Sequence, residues 1–251
     1  MQQYKNNMQL ASYFQSAIYE GRLRLAYQPV ISSKNGQIKS YEALLRVVTE
    51  DNRLVTAGPF IPVAEKLNLI NQVDNMVLKL VVEELKNSPD ISLAMNLSSL
   101  SIEDGEWLAN AKNLLKDNDI ASRLIVEITE TSMQKDLNKV ANFVESMQRL
   151  GCKIAIDDFG AGYTSFSQLK VVDADIIKID GIFVRDIVDN YNSRMFVKTL
   201  IEFARGFGLE TVAEFVESGD IAKVLMELGV DYMQGHYFSP AVNYRGWLTN
   251  Q

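Results

Sequence analysis

The sequence predicts an α/β fold, a closed (β/α)8 barrel of the TIM type with an antiparallel first strand, and three observations carry that expectation. After Pro89, short β-rich runs alternate with helical stretches to the end of the chain, the pattern of parallel strands joined by helical crossovers. Upstream, two β-rich runs flank the turn Lys34-Asn35-Gly36, a hairpin signal that sets the first strand against the second. About eight strands in 251 residues point to a closed barrel rather than an open doubly wound sheet, and no GxGxxG follows any of them.

In chain order, residues 8–20 place Leu10, Tyr13, Phe14, Ala17 and Ile18 at helical spacing and stop at Gly21, behind a polar opening, MQQYKNN, that reads as the end of a linker. Residues 1–20 are therefore expected to be linker and helix, and 21–251 one domain. The hairpin strands are predicted at 23–30 and 38–46. From Pro59 a helical pattern runs through FIPVAEKLNLI and on through NQVDNMVLKLVVEELK. Strands follow at 91–96, 124–128, 153–157, 176–179, 211–214 and 232–238, with helices near 102–116, 133–150, 186–206 and 218–228, several closed by Gly151, Gly208 or Gly229.

Composition narrows the function. A net charge of -7 argues against a groove for a nucleic-acid polymer, which needs clustered Lys and Arg. Cys152 is the only cysteine, so no internal disulfide or thiolate zinc site exists; it reads as a small buried residue before a strand. His236 is the only histidine, which excludes two-histidine metal motifs and leaves a Ser-His-Asp hydrolase only one possible base. Its apolar, aromatic surroundings predict a packed side chain. No run of about 18 apolar residues and no signal-peptide core is present, so the chain is expected to be soluble and cytoplasmic, alone or within a larger protein.

Charge gathers where the predicted strands stop. The run KIAIDD ends in two adjacent carboxylates, Asp157 and Asp158, which repel unless a proton or cation sits between them. A solvated turn would explain one such pair, and a helix cap would explain Asp104 or Asp119. Yet Glu42, Asn96, Glu127, Lys178, Glu214, Glu217 and Gln234 also fall at or just beyond strand ends. In a parallel barrel those ends share one face. Oxygen ligands in this number suit magnesium or manganese rather than zinc. Asp157 could bridge two such ions. Lys178 has two readings, a base with a depressed pKa or a permanently charged partner of Asp158 or Glu214.

These segments carry a resemblance. YEALLR, FIPVAE, NLS, EITE, DDFGAGYTS, KID, AEFVE and QGHYF occur in the order seen in the EAL-domain family of cyclic di-GMP phosphodiesterases, over nearly the whole chain. The resemblance implies that Glu42, Asn96, Glu127 and Asp157 hold one Mg2+ or Mn2+, and that Asp157, Asp158 and Glu214 hold a second. It implies that Lys178 orients or deprotonates the attacking water, that Glu217 and Gln234 support the site, and that Gln28, Leu44 and Arg46 contact substrate. Glu130 with Gly160, Gly162 and Ser165 would couple the site to a homodimer interface that includes Tyr163, Phe166 and Leu169.

The expected activity is hydrolysis of cyclic di-GMP to linear 5'-pGpG, dependent on Mg2+ or Mn2+ and inhibited by Ca2+, with a sensor or GGDEF-type domain as a fused or controlling partner. A receptor without turnover is the alternative, and a vestigial regulatory domain a third reading. Three departures from the family pattern are Val47 in place of an aromatic residue, Phe215 in place of glycine, and a short FSPAV segment. They touch ligand contacts and loop packing, while no matched metal ligand is lost.

Overall fold

The computed structural model of the chain describes residues 2–160, 166–243 and 245. Among these, helix α1 (Gln2–Tyr19) leads into the hairpin β1 (Leu23–Ser32) and β2 (Ile38–Val48), then a short strand β3 (Leu54–Thr56). Helices α2 (Ile61–Lys66) and α3 (Ile70–Asn87) precede β4 (Leu93–Leu97). Helices α4 (Ser99–Ile102), α5 (Gly105–Leu114) and α6 (Asn118–Ser122) lead to β5 (Leu124–Thr129). Helices α7 (Glu130–Lys135) and α8 (Leu137–Arg149) lead to β6 (Lys153–Phe159), and α9 (Phe166–Val172) to β7 (Ile176–Ile179). The chain finishes with α10 (Gly181–Val184), α11 (Tyr191–Gly206), β8 (Glu210–Ala213), α12 (Gly219–Leu228) and β9 (Tyr232–Met233).

The strands follow the order β1-β9-β8-β7-β6-β5-β4-β2-β3, and the β1–β2 pairing closes the ring, leaving β3 outside on the edge of β2. Strand β1 runs antiparallel to both neighbours, β2 and β9, whereas β2 and β4 through β9 run parallel. The fold is thus the expected barrel with a reversed first strand.

Alternation along the strands divides the apolar residues between two cores. Outward-facing Leu93, Met95, Val126, Ile154, Ile156 and Ile177 meet the helices in the main core. Inward-facing Val30, Ala94, Ile125, Ala155, Ile176 and Val212 fill the barrel, with Tyr232 against them. Each fully buried aliphatic side chain contributes about 1.5–3 kcal/mol of transfer free energy, which holds the ring shut around its own filling. Two residues farther toward the mouth, on the same inward side, stand Gln28, Asn96, Glu127, Lys178, Asp157, Glu214 and Gln234. The apolar layer therefore forms the floor beneath a polar one.

Several boundaries differ from the sequence expectation, each for a local reason. Helix α1 begins at Gln2, inside the segment read as linker, and its Phe14 stacks on Phe60 at 5.2 Å between ring centroids. The stretch 133–150 divides at Asp136, whose side chain caps α8 by accepting from Lys139 N. Asn190 likewise starts α11 by accepting from two backbone amides, so that helix opens later than expected. Asp104 caps α5 as anticipated. Asp119 does not cap α6; Asp117 does, and Asp119 instead pairs with Arg123 at 2.9 Å.

The last strand is short, ending at Met233 rather than 238. At Gly235 the chain passes the backbone of Val216 so closely that a Cβ would stand 2.2 Å from Val216 O, and no larger residue fits there. Cys152 is buried as expected. Val47 is fully buried in the main core, on the face of β2 opposite Glu42, Leu44 and Arg46, so this departure alters packing rather than ligand contacts. Among the described residues no helix is long and apolar enough to cross a membrane.

Candidate active site

Lys178 stands at the centre of the polar layer. Its Nζ lies 2.7 Å from Glu127, 2.9 Å from Glu214, 3.3 Å from Asp157 and 3.6 Å from Glu42. The four carboxylates arrive from β5, the end of β8, β6 and β2, and the lysine from β7. At 2% exposure the ammonium is out of water. Burial alone would lower its pKa, but Asp157, Glu127, Glu214 and Glu42 outweigh burial and raise it well above the ordinary lysine value. Its ion pairs are thus with Glu127, Glu214, Asp157 and Glu42.

One ammonium does not satisfy four carboxylates. Burial drives Glu127 well above its ordinary range, with Glu42 and Asp157 adding to the effect against Lys178. Burial, Asp157 and Glu42 likewise push Glu214 to about 7 against the opposing pull of Lys178. Burial opposes ionisation of Glu42 too, but Lys178, Gln234 and Asn96 prevail and hold its pKa below the ordinary value. Asn96 Nδ2 donates to Glu42 Oε1 at 2.7 Å, and Gln234 Nε2 donates to Glu42 Oε2 at 2.6 Å. Gln234 Nε2 also lies 3.2 Å from Gln28 Oε1.

The second group of carboxylates lies at the mouth. Asp157, Asp158 and Glu214 each offer an oxygen within 4.8 Å of the others. Asp158 reaches this place because its backbone is left-handed, φ 55°, a conformation that Asp tolerates better than most residues. Burial and the adjacent Asp157 raise its pKa. A cluster of oxygen donors with too little positive charge fits a divalent cation, which would remove the cost of keeping these groups ionised.

A cavity of about 340 Å³ opens over this cluster, lined by Gln28, Glu42, Leu44, Glu217, Gln234 and others. His236 also lines it and is exposed, not packed as its neighbours in sequence implied. Phe215 forms part of the same wall. Arg46 lines an adjoining cavity of about 350 Å³, together with Asn96, and the two cavities share Leu44. Among the described residues, the predicted metal, lysine and glutamine positions thus converge on one end of the barrel, with Arg46 one step to the side.

Beyond Asp158, the buried Glu130 accepts a hydrogen bond from Gly160 N at 2.9 Å, tying the start of α7 to the end of β6. Gly160 has φ 101°, and a Cβ there would come within 2.7 Å of Phe196. Gly162, Tyr163 and Ser165 lie outside the described residues. Leu169 is buried in the main core. The sequence reading missed His236, which pattern alone could not place, and the seat of Phe215 against Gly181. Repeating the two-residue step from each apolar floor residue would have selected the main wall residues directly.

The protein is thus a β/α barrel whose mouth carries a cluster of carboxylates, Asp157, Asp158 and Glu214, that could hold a metal ion. The EAL domain family matches residues 12–241, and the chain belongs to that family. It is 35% identical over 237 residues to the cyclic di-GMP phosphodiesterase PdeF of Escherichia coli, covering 92% of this chain and 32% of the relative. It is 33% identical to the probable cyclic di-GMP phosphodiesterase PdeA of the same organism, over 90% of this chain and 31% of that one. The chain therefore spans about a third of the length of these curated relatives. The PaMucR phosphodiesterase in complex with c-di-GMP superposes with a TM-score of 0.86 at 30% identity, covering 93% of this chain and 97% of that one. The FimX EAL domain of Pseudomonas aeruginosa, bound to c-di-GMP, gives 0.84 at 27% identity, covering 94% and 97%.

Proposed function

We propose that the chain hydrolyses cyclic di-GMP to linear 5'-pGpG. The observation that carries this reading is the convergence of Glu42, Glu127, Asp157 and Glu214 on one buried Lys178 beneath an open cavity. Residues Glu42, Asn96, Glu127 and Asp157 would hold one Mg2+ or Mn2+, and Asp157, Asp158 and Glu214 a second, Asp157 serving both. When bound, such ions offset the acidic field that would repel a phosphodiester and acidify the attacking water.

The chain's own residues do the rest. Lys178 would orient the attacking water or take its proton. Asn96 and Gln234 fix both oxygens of Glu42 in place. Gln28 and Leu44 meet the ligand from the cavity wall, Glu217 contributes at the rim, and Arg46 offers a guanidinium to a phosphate from the adjoining cavity. Water attacks phosphorus, the bond to the 3' oxygen breaks, a proton of the water ends on that oxygen as the 3' hydroxyl, and the phosphate stays on the 5' side.

We further propose a homodimer coupled to the site through Glu130 and Gly160, a cytoplasmic setting, and control by a sensor or GGDEF-type domain. The test is turnover of cyclic di-GMP with Mg2+ or Mn2+, resolved by chromatography of the product. Linear dinucleotide appearing only with metal supports the enzyme; tight binding without product selects the receptor.

A further inference from the structure

Phe215 is an exposed aromatic ring in a place where the chain resists one. Its backbone is left-handed, φ 54°, a conformation that disfavours a bulky L-residue. It remains 44% exposed, so burial of its own ring offsets only part of that cost. Yet the ring has a fixed seat. On α10, Gly181 lies against it so closely that a Cβ there would stand 2.3 Å from Phe215 Cδ2. Arg185, one helical turn on, places its guanidinium carbon 4.2 Å from the ring centroid. Gly181 and Arg185 share one side of that helix, so the ring is held on that side and leaves its remaining surface to the cavity it lines. Glu214, in the carboxylate cluster, is the preceding residue.

From this we infer that Phe215 is a specificity-determining residue, a platform on which a purine base of the ligand stacks while its phosphate lies over the carboxylate cluster. The chemistry is that of base on aromatic ring: the contact grows with the area of the base, and Arg185 supports the ring from its other side. The inference rests on the proposed function for its choice of ligand only, since stacking requires binding and not turnover.

The test compares dissociation constants for cyclic di-GMP and cyclic di-UMP, by calorimetry with calcium in place of magnesium to hold back turnover. Phe215→Leu keeps apolar bulk but removes the flat face; Phe215→Trp keeps and enlarges it. Thermal melts confirm that both variants are folded. Phe215→Leu is expected to weaken cyclic di-GMP about tenfold or more and cyclic di-UMP much less, while Phe215→Trp binds cyclic di-GMP at least as tightly as the unaltered protein. Equal loss for both nucleotides, no loss, or loss with Trp as large as with Leu overturns the inference. Binding without hydrolysis would defeat the enzyme reading and leave this one intact, whereas a protein that binds neither nucleotide defeats both.

Discussion

Gln234 donates to Glu42 across 2.6 Å, joining residues 192 apart in sequence through a contact that is buried on both sides. It fixes one oxygen of a proposed metal ligand while Asn96 fixes the other. Replacing Gln234 by Ala should leave Glu42 free to turn and lower metal affinity by roughly 10- to 100-fold, the usual cost of losing a group that orients a ligand. Manganese titration of the two proteins measures it, and unchanged affinity would contradict the role.

Lys178→Ala removes the ammonium that meets four carboxylates, three of them buried. Turnover should fall at least ~100-fold, the low end for a positioned proton-handling group, while calcium-supported binding of cyclic di-GMP stays close to normal. In chelator the variant should also melt well below the parent, since breaking a buried ion pair costs about 3–5 kcal/mol, and divalent metal should restore much of the difference. A variant equally stable with and without metal would argue against cations taking over the lysine's electrostatic work.

Two carboxyls predict a pH dependence. Burial drives Asp74 up to about 6 against Ser101 and Ser98, which favour its ionised form, and Glu214 is driven to about 7. Both folded pKa values exceed the unfolded ones, so the folded state binds more protons in between, and stability falls as pH rises through that window. In chelator, stability should therefore drop from about pH 4 to about pH 7. Asp74→Asn should flatten the lower part of that slope, and metal should flatten the upper part through Glu214. Denaturant melts at four pH values decide it; a slope that rises with pH would refute the assignment.

Asp157→Asn should abolish most turnover, because a neutral amide is a poor bridge between two cations. Arg46→Ala should act differently, chiefly weakening binding of the nucleotide by removal of a charge-assisted phosphate contact. Kinetics and binding measured side by side separate the two, and a pure binding defect in Asp157→Asn would speak against its shared position.

Much of the site was legible because period-two alternation is a local property. Ile176 and Lys178, or Ile125 and Glu127, announce a floor residue and a wall residue within three positions of sequence. What local pattern could not give were the close approaches between distant segments. Gly235 beside Val216 cuts the last strand short, and His236 is turned out to the cavity as a result of that bend. Strand β3, only three residues long, carries too little periodicity to stand out. Asp117 and Asp119 are equivalent in type, and only the direction of the chain entering α6 decides which one caps it.

The two-residue step between floor and wall also separates what the barrel needs in order to fold from what it needs in order to react. Ile125, Ile176 and Val212 close the ring from within, whereas Glu127, Lys178 and Glu214 stand on the next rung of the same strands and add little apolar filling. Wall residues therefore act on the fold through charge and pairing, and floor residues through apolar filling. A barrel built this way can trade a cutting site for a holding site by changing a few rungs, with its architecture left standing.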